Sequence, residues 1–333
     1  MKTIKVYQTK TYGTEARFEL AEIPVPKLLS GQILIEVKAT SLNPMDNKIL
    51  RHELRGPGLP AILHGDVSGV VSAVGPNVAD FIVGNEVYAC AGGFIGTSGA
   101  LAEFMVADVS LVASKPSSLS FIEAAALPLV VITAWESLID SAKIQPDEHV
   151  LIHGGVGGVG HIAVQLAKAK GAKVTTTVSS KEAAQTARKL GADNIIYYRD
   201  EAVEDYVQRL TNDNGFDVVY DTVGGPNFEN SLQAVRTYGR VVTVFTGPDA
   251  TKMELKTAFF KGASVHTQNI SIPLVTGKGR KHHGTILKEV AKLVDAGKLK
   301  PLIDSHHFMF AEANEAHAFF ESKRHIGKIV MTP

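Results

Sequence analysis

One cysteine, Cys90, stands among 333 residues, so no intrachain disulfide can form and a reducing, cytoplasmic setting is expected. Charge of one sign is also missing: 34 Lys and Arg balance 34 Asp and Glu, and no long basic run occurs. That excludes the electrostatic footprint of a nucleic-acid binder, and the dispersed charges form no membrane-surface stripe. The longest strongly apolar stretch, Ala124 to Trp135, is interrupted by Pro128 and Thr133. It falls short of the about 20 apolar residues that span a bilayer. The N-terminal stretch lacks the apolar centre of a signal peptide. Internal repeats and low-complexity tracts are absent as well. What is present is a globular composition, 45% hydrophobic with 30 Gly. At about 150 residues per domain, the length fits roughly two domains.

The texture of the chain changes partway along. Up to about Ser120, short β-like runs such as Gln32 to Lys38, Gly69 to Gly75, Gly84 to Ala89 and Ala102 to Ala107 alternate with Gly and Pro, which reads as an all-β half. Ala91 to Gly99 reads as a loop. From Phe121 to about Ser141 an apolar helix with a kink at Pro128 is expected. Strand candidates follow at His149 to His153, Lys173 to Val178, Asn194 to Tyr197, Phe216 to Asp221, Arg240 to Phe245 and Ala263 to Thr267. Helical patterns such as Val159 to Lys170 and Lys181 to Leu190 lie between them. Strands alternating with helices imply a doubly wound parallel sheet. After about Gln268 come one helix, Ile286 to Ala296, and a closing strand, Lys328 to Thr332, with too little apolar material for a third core. The expected organisation is therefore an α/β chain: residues 1–124 begin a first domain, 125–267 form a nucleotide-binding domain, and 268–333 return to complete the first.

Gly155-Val-Gly157-Gly158-Val159-Gly160 stands between Val150-Leu-Ile-His-Gly154 and the helix opening at His161. A G-x-G-x-x-G between strand and helix is where backbone N–H groups and a helix N-terminus meet a pyrophosphate. The first glycine permits the tight turn, the second admits the phosphates and the third lets the helix pack on the sheet. About 20 residues further on, a site built for NAD would carry Asp or Glu to hold the ribose 2′-hydroxyl. Here the sequence is Thr177-Val-Ser179-Ser180-Lys181. With no carboxylate to repel a 2′-phosphate, and two hydroxyls and an ammonium to hold one, this segment favours NADPH. The same residues also suit a helix N-cap followed by a solvated lysine, and the two roles are compatible. Tyr198 or Arg199 would close the pocket.

Four stretches carry a resemblance: Ser41-Leu-Asn43-Pro-Met-Asp46, His64-Gly-Asp66-Val-Ser-Gly69-Val-Val-Ser-Ala-Val-Gly75, Ala125-Ala-Leu-Pro128 with Thr133-Ala-Trp135, and Gly155 to Gly160. Together with Gly191-Ala-Asp193, Asp217 to Gly225 and Ile326 to Val330, they resemble the medium-chain dehydrogenase/reductases, and within them the zinc-independent quinone oxidoreductases. The resemblance implies a GroES-like β domain, an inserted Rossmann domain and a homodimer joined through Rossmann edge strands. It also implies cofactor contacts at Val223, Phe245 and Lys328. Many relatives have a lysine two residues after Lys181, where Ala183 stands. Zinc-bearing relatives supply a Cys, a His and a third ligand, usually Cys. Here Asn43 lies at or beside the first position, Gly65 replaces the second, and only Leu127-Pro-Leu129 is near the third. A catalytic zinc needs three protein ligands plus water, so a metal-free site is expected. His64 reads as a hydrogen-bonded loop histidine, His282-His283 as a solvated loop, His306-His307 as a strand end, and Cys90 as an inert core thiol.

The resemblance places Asn43, Asp46 and Thr133 at the reacting centre. Without a metal, hydrogen-bond donors must orient the acceptor oxygen. The Asn43 amide and the Thr133 hydroxyl are the expected donors, with Asp46 orienting Asn43 or a water. Each residue also has a local reading, since Asn43-Pro44 and Asp46 make a good turn and cap, and Thr133 can back-bond within a helix. The expected function is NADPH-dependent reduction of a quinone or of the double bond of an enone, both small molecules. Reduction of simple aldehydes or ketones is an alternative that usually relies on zinc. Non-catalytic NADPH binding is another. No Ser-His-Asp or Cys-His arrangement points to a hydrolase.

Overall fold

The structure, a computed structural model, describes residues 2–244 and 254–333. It divides into one unit of residues 1–132 with 270–333 and a second of residues 133–269.

The first unit opens with a hairpin, β1 (Thr3–Thr9) and β2 (Phe18–Pro24), and a long strand, β3 (Gln32–Leu42). A short helix, α1 (Pro44–Leu50), interrupts the strands, followed by β4 (Asp66–Val74), β5 (Glu86–Cys90), β6 (Phe104–Asp108), β7 (Val112–Ser114) and α2 (Phe121–Ala125). Helix α1 corrects the reading of this half as all-β. Asn43 and Pro44 start it, with proline at a position whose missing N–H costs nothing, and Ile49 and Leu50 are its apolar anchors in the core. The expected kinked helix is in fact α2, a break, α3 (Pro128–Trp135) and a π-helical stretch, Glu136–Ser141. Pro128 begins α3 because it lacks the N–H that a helix interior requires.

The second unit holds β8 (His149–His153), α4 (Gly160–Ala169), β9 (Lys173–Val178), α5 (Lys181–Lys189), β10 (Asn194–Tyr197), α6 (Val203–Thr211), β11 (Phe216–Asp221), α7 (Asn227–Ala234), β12 (Val235–Thr243), α8 (Lys256–Lys261) and β13 (Ser264–Thr267). The six strands are parallel in the order β10-β9-β8-β11-β12-β13. The chain builds outward one way from β8 and then the other way from β11, so these neighbours flank the point where the order reverses. In such sheets ligands bind outside the strand carboxyl ends at that point. Leu151, Phe216, Val219, Leu232 and Val241 form the core beneath it.

The chain then returns to the first unit with α9 (Ser271–Thr276), α10 (Arg280–Asp295), β14 (Ile303–Met309), α11 (Ala313–Glu321) and β15 (Lys328–Thr332). The resulting sheet has the order β14-β15-β3-β4-β5-β7, with β6 also paired to β3. His282 and His283 lie in α10, and His283 is fully buried, so the expected solvated loop is corrected to a helix. Its first turns were obscured by Gly284, which sits in the helix because a side chain there would strike the Ser110 carbonyl.

Candidate functional site

Polar groups gather in two places, one in each unit. In the first unit, Asn43 caps α1 and Asp46 occupies its first turn; both are buried. Asp46 Oδ2 accepts the Asn43 backbone N–H at 2.8 Å. Asp66, at the start of β4, is also fully buried. Its Oδ2 accepts from Ser41 Oγ and from Asn43 Nδ2, each at 2.8 Å, while Oδ1 accepts the Leu129 N–H at 2.8 Å. Lys328 completes the cluster from β15. Its ammonium donates to the Leu42 carbonyl at 3.0 Å and to Asn43 Oδ1, and lies 3.6 Å from Asp66 Oδ2.

This geometry changes two expectations. Asn43 was expected to offer its amide to an acceptor oxygen, yet that amide links Asp66 to Lys328 with no exposed surface. Lys328 was expected at the cofactor, yet its ammonium is turned inward because two buried carboxylates demand a counter-charge. Burial pushes the Asp46 carboxyl up to about 7 and the Lys328 ammonium down, while Asp66 and Asp46 pull Lys328 back up. Burial, reinforced by Asp66, also raises the Cys90 thiol well above its ordinary value. Cys90 is therefore an unreactive core residue.

Beside this cluster, His64 is a buried hydrogen-bonded histidine. Its Nε2 lies 3.0 Å from His317 Nε2, and His317 Nδ1 lies 3.2 Å from Asn47 Oδ1. The amide oxygen requires His317 to carry its proton on Nδ1, so His64 donates from Nε2. Burial drives both imidazoles toward the neutral form, His317 to about 3.

In the second unit the glycine turn lies between β8 and α4. A side chain at Gly155 would collide with Thr176, and one at Gly160 with the Gly154 carbonyl, so both positions exclude Cβ atoms. Gly157 is exposed, and a Cβ there would meet only the Gly154 carbonyl at 3.2 Å. Its surface is therefore an open cradle. Gly158 and Val159 lead into α4, at whose start the His161 N–H donates to the Gly157 carbonyl and the Ile162 N–H to the Val159 carbonyl. At the end of β9, Ser179 and Lys181 are exposed, while Ser180 caps α5 by accepting the Ala183 N–H at 3.2 Å. Tyr198 and Val223 are exposed at the ends of β10 and β11. Phe245 lies outside the described residues.

Thr133 also belongs to this unit. It is nearly buried in α3, and its carbonyl accepts from Tyr220 Oη at 3.4 Å. The described residues thus bring Asn43 and Asp46 together in one unit, and the glycine turn, Ser179 to Lys181, Tyr198 and Val223 together in the other.

Sequence reasoning passed over the polar strand ends. His153 on β8 pairs in register with Asp221 on β11, and Asp221 with Thr243 on β12. All three are buried, and among the described residues His153 Nε2, Asp221 Oδ2 and Thr243 Oγ1 have no hydrogen-bond partner. Asp221 Oδ1, by contrast, accepts from the Val223 and Gly224 N–H groups, both at 3.0 Å, and from Asn227 Nδ2 at 2.8 Å, which fixes the loop carrying Val223. A cavity of about 310 Å³ adjoins His153, Thr177, Tyr198 and Asn227. A cradle that a Cβ would fill and a polar cavity next to it fit a dinucleotide. The only available signal was that these polar residues end otherwise apolar strands.

A metal does not fit the first unit. Among the described residues no group of three or more His, Cys, Asp or Glu side chains could hold one. At residue 65 even a Cβ would lie 2.8 Å from Phe94 and 2.9 Å from the Gly92 carbonyl, leaving no room for a ligand side chain.

A parallel nucleotide-binding sheet with a glycine turn, inserted into a chain whose two ends share an antiparallel-rich sheet, defines a Rossmann unit carried by a GroES-like unit. Residues 29–117 match the alcohol dehydrogenase GroES-like domain, and residues 190–331 match the zinc-binding dehydrogenase family. The chain is 34% identical to a 2-methylene-furan-3-one reductase of Solanum lycopersicum, over 99% of this chain and 79% of that protein. It is 31% identical to a chloroplastic NADPH-dependent alkenal/one oxidoreductase of Arabidopsis thaliana, over 100% of this chain and 80% of that one. Among solved structures, an alcohol dehydrogenase superfamily protein from Novosphingobium aromaticivorans superposes with a TM-score of 0.93 at 37% identity, covering 99% of each chain. A quinone oxidoreductase from Pseudomonas syringae pv. Tomato DC3000 superposes with a TM-score of 0.84 at 30% identity, covering 99% of this chain and 100% of that one. The chain belongs to the medium-chain dehydrogenase/reductase superfamily, with the quinone and alkenal/one oxidoreductases among its relatives.

Proposed function

We propose that this protein binds NADPH and reduces the carbon–carbon double bond of an enone, or a quinone, without a metal. The observation that carries the cofactor choice is the end of β9, where Ser179, Ser180 and Lys181 stand and Thr177 to Lys181 contain no carboxylate. Bound there, NADPH supplies a hydride. Gly157, Gly158, Val159 and Gly160 hold its pyrophosphate, Ser179 and Lys181 its 2′-phosphate, and Tyr198 and Val223 flank its adenosine. Thr133 is the donor to the acceptor oxygen. Asn43 and Asp46 are positioning residues that fix the start of α1 through Asp66 and Lys328. The relatives' activity on alkenals, enones and quinones supports this acceptor class.

Self-association is part of the same reading. Strand β13 ends the parallel sheet, and close to it in the chain Phe259 and Phe260 are 80% and 74% exposed. An uncovered edge beside exposed aromatic rings suits pairing with a second copy. We also place the protein in the cytoplasm, on the strength of its one buried thiol. No described helix is long and apolar enough to cross a membrane.

The decisive experiment measures NADPH oxidation with enones, quinones and saturated carbonyls, with and without a zinc chelator. Turnover confined to enones or quinones and indifferent to chelation is expected. Turnover only with saturated carbonyls, or only with zinc, would refute the proposal. Thr133→Val should lower turnover roughly a hundredfold, since a preorganised donor contributes about 2.7–4 kcal/mol in the transition state. Unchanged turnover would remove Thr133 from the reaction.

A further inference from the structure

A pocket of about 400 Å³ opens on the first unit between α1, the segment before β2 and α11. Its floor is apolar: Ala16 and Leu50 are each 2% exposed, and the His317 imidazole beside them is buried and neutral. Its rim is cationic. Arg17 and Arg51 both line it, and Glu321 is the sole carboxylate among the lining residues. That carboxylate is already engaged, since Oε1 accepts from Arg51 Nε at 2.5 Å and Oε2 from Arg51 Nη2 at 3.1 Å. Arg17, which is exposed, has no carboxylate partner among the described residues. Its Nη1 donates to the carbonyls of Thr14 at 3.2 Å and Ala16 at 2.8 Å, which leaves its Nε and Nη2 hydrogens without a described acceptor. Arg51 Nη1 donates to the same Thr14 carbonyl at 3.3 Å. Two guanidinium groups that share one carbonyl lie within reach of a single oxyanion, and like charges held this close repel until a counter-charge joins them.

We propose that this pocket binds a small organic oxyanion, a carboxylate or a phosphate monoester, whose charged head bridges Arg17 and Arg51 and whose apolar body rests on Ala16 and Leu50. Planar guanidinium forks match both head groups, and hydrogen bonds to an ionised acceptor are the strong ones. The apolar floor calls for more than a bare inorganic ion, because burying it is what an organic body adds. The volume lies within the range of about 300–1,000 Å³ usual for small-molecule sites. The cationic rim is also held in place. Asn314 on α11 fixes the residue next to Arg17: its Oδ1 accepts the Phe18 N–H at 2.9 Å and its Nδ2 donates to the Phe18 carbonyl at 3.1 Å. A rim ordered beforehand reduces the cost of binding. Every residue of the pocket belongs to the first unit, so the inference stands apart from the cofactor reading.

Calorimetric titration of the full chain with benzoate, phenyl phosphate and benzyl alcohol tests the idea on binding alone. The three probes share a ring and differ in the head group. At least one of the two anions should bind and the alcohol should not; binding of benzoate alone identifies a carboxylate ligand, and binding of phenyl phosphate alone a phosphate ester. Arg17→Gln should weaken the anion roughly tenfold, the lower end for a charge-assisted contact at an exposed site. Ala318→Trp, at an exposed lining position on α11, should block the pocket without changing any charge. Thermal melting verifies that both variants are folded, and either one alone keeps the inference testable. A phosphate ester could also enter the glycine turn, so the variants decide where it sits: binding that survives both of them unchanged comes from elsewhere and overturns the assignment. Benzyl alcohol binding as tightly as the anions, or neither anion binding more tightly than about 10 mM, overturns it as well.

Discussion

The two polar clusters are opposites in how their groups are satisfied. Around Asn43, two carboxylates, an ammonium, an amide and a hydroxyl bond to one another with essentially no exposed surface. At the carboxyl ends of β8, β11 and β12, by contrast, His153, Asp221 and Thr243 each retain a buried atom without a partner among the described residues. A closed network of charges fixes a shape, and removing its cation strands the buried carboxylates. An open row of unmatched polar atoms beside a cavity is complete only when something else arrives. The contrast supports the proposal that cofactor binding belongs to the second unit and the Asn43 cluster to architecture in the first.

The largest effect that would break this comparison is at Lys328. Lys328→Met leaves Asp66 and Asp46 buried without their cation, so a loss of about 3–5 kcal/mol is expected. Denaturant melts should show it. Adding Asp66→Asn should recover a large part of that loss. Asp221→Asn, which alters an atom without a partner among the described residues, should cost far less. Equal losses at Lys328 and Asp221 would abolish the distinction between the two clusters.

Next comes the pH dependence of Asp46. Burial pushes its carboxyl from the ordinary 3.8 up to about 7 in the folded protein. The folded state therefore binds the extra proton between those values, and stability falls as pH rises from about 4 to 7. Asp46→Asn keeps an acceptor for the Asn43 N–H and removes this penalty. The variant should gain on the unmodified protein across that window, by about 2–4 kcal/mol at its upper end. The neutral His64–His317 pair acts in the opposite direction. The folded pKa of His317, about 3, lies below its ordinary 6.5, so its contribution is lost as pH falls through that interval. A flat difference between the melting curves of Asp46→Asn and the unmodified protein from pH 4 to 8 would show that Asp46 is solvated.

What could be read from the residues follows the same division. The strands from β8 to β11 and the glycine turn were legible because each is a local pattern: a short apolar run, then glycines, then a helix. Helix α1 was not, because Asn43-Pro44 and Asp46 fit a turn equally well, and only Ile49 and Leu50 reaching the core decides between them. The pairing of Lys328 with Asp66, 262 positions earlier in the chain, was not legible, because no local pattern announces a long-range charge pair. His153 went unremarked for a related reason. A histidine ending an apolar strand has significance only once Asp221 is paired beside it.

Lys181 sharpens the cofactor side. It is exposed at the start of α5, so Lys181→Glu should leave stability nearly unchanged while replacing an attraction to the 2′-phosphate by repulsion. One charge-assisted contact is worth about 1.5–3 kcal/mol, or roughly ten- to a hundredfold in NADPH affinity, with the lower end expected at an exposed site. NADH affinity should move little. Titrations of the two cofactors that weaken in parallel would place the 2′-phosphate elsewhere.

The smallest effect separates two serines one residue apart. Ser180 Oγ accepts the Ala183 N–H and caps α5, whereas Ser179 is exposed and has no cap to make. Ser180→Ala should therefore cost about 1 kcal/mol of stability, the usual consequence of removing an N-cap hydroxyl. Capping uses its oxygen as acceptor, while its hydroxyl donates to the neighbouring Glu182 carboxylate, from which a phosphate has to take it. Ser180→Ala should thus lower both the melting temperature and NADPH affinity, while Ser179→Ala should lower affinity alone. Replacing Ser180 by Asp discriminates further. Aspartate is an equally good cap, so stability should be retained, but it introduces the carboxylate whose absence defines this strand end, and NADPH should bind worse than NADH. If Ser180→Asp retains its preference for NADPH, the missing acid at the end of β9 is not what selects the cofactor, and selection must pass to Lys181 and Tyr198.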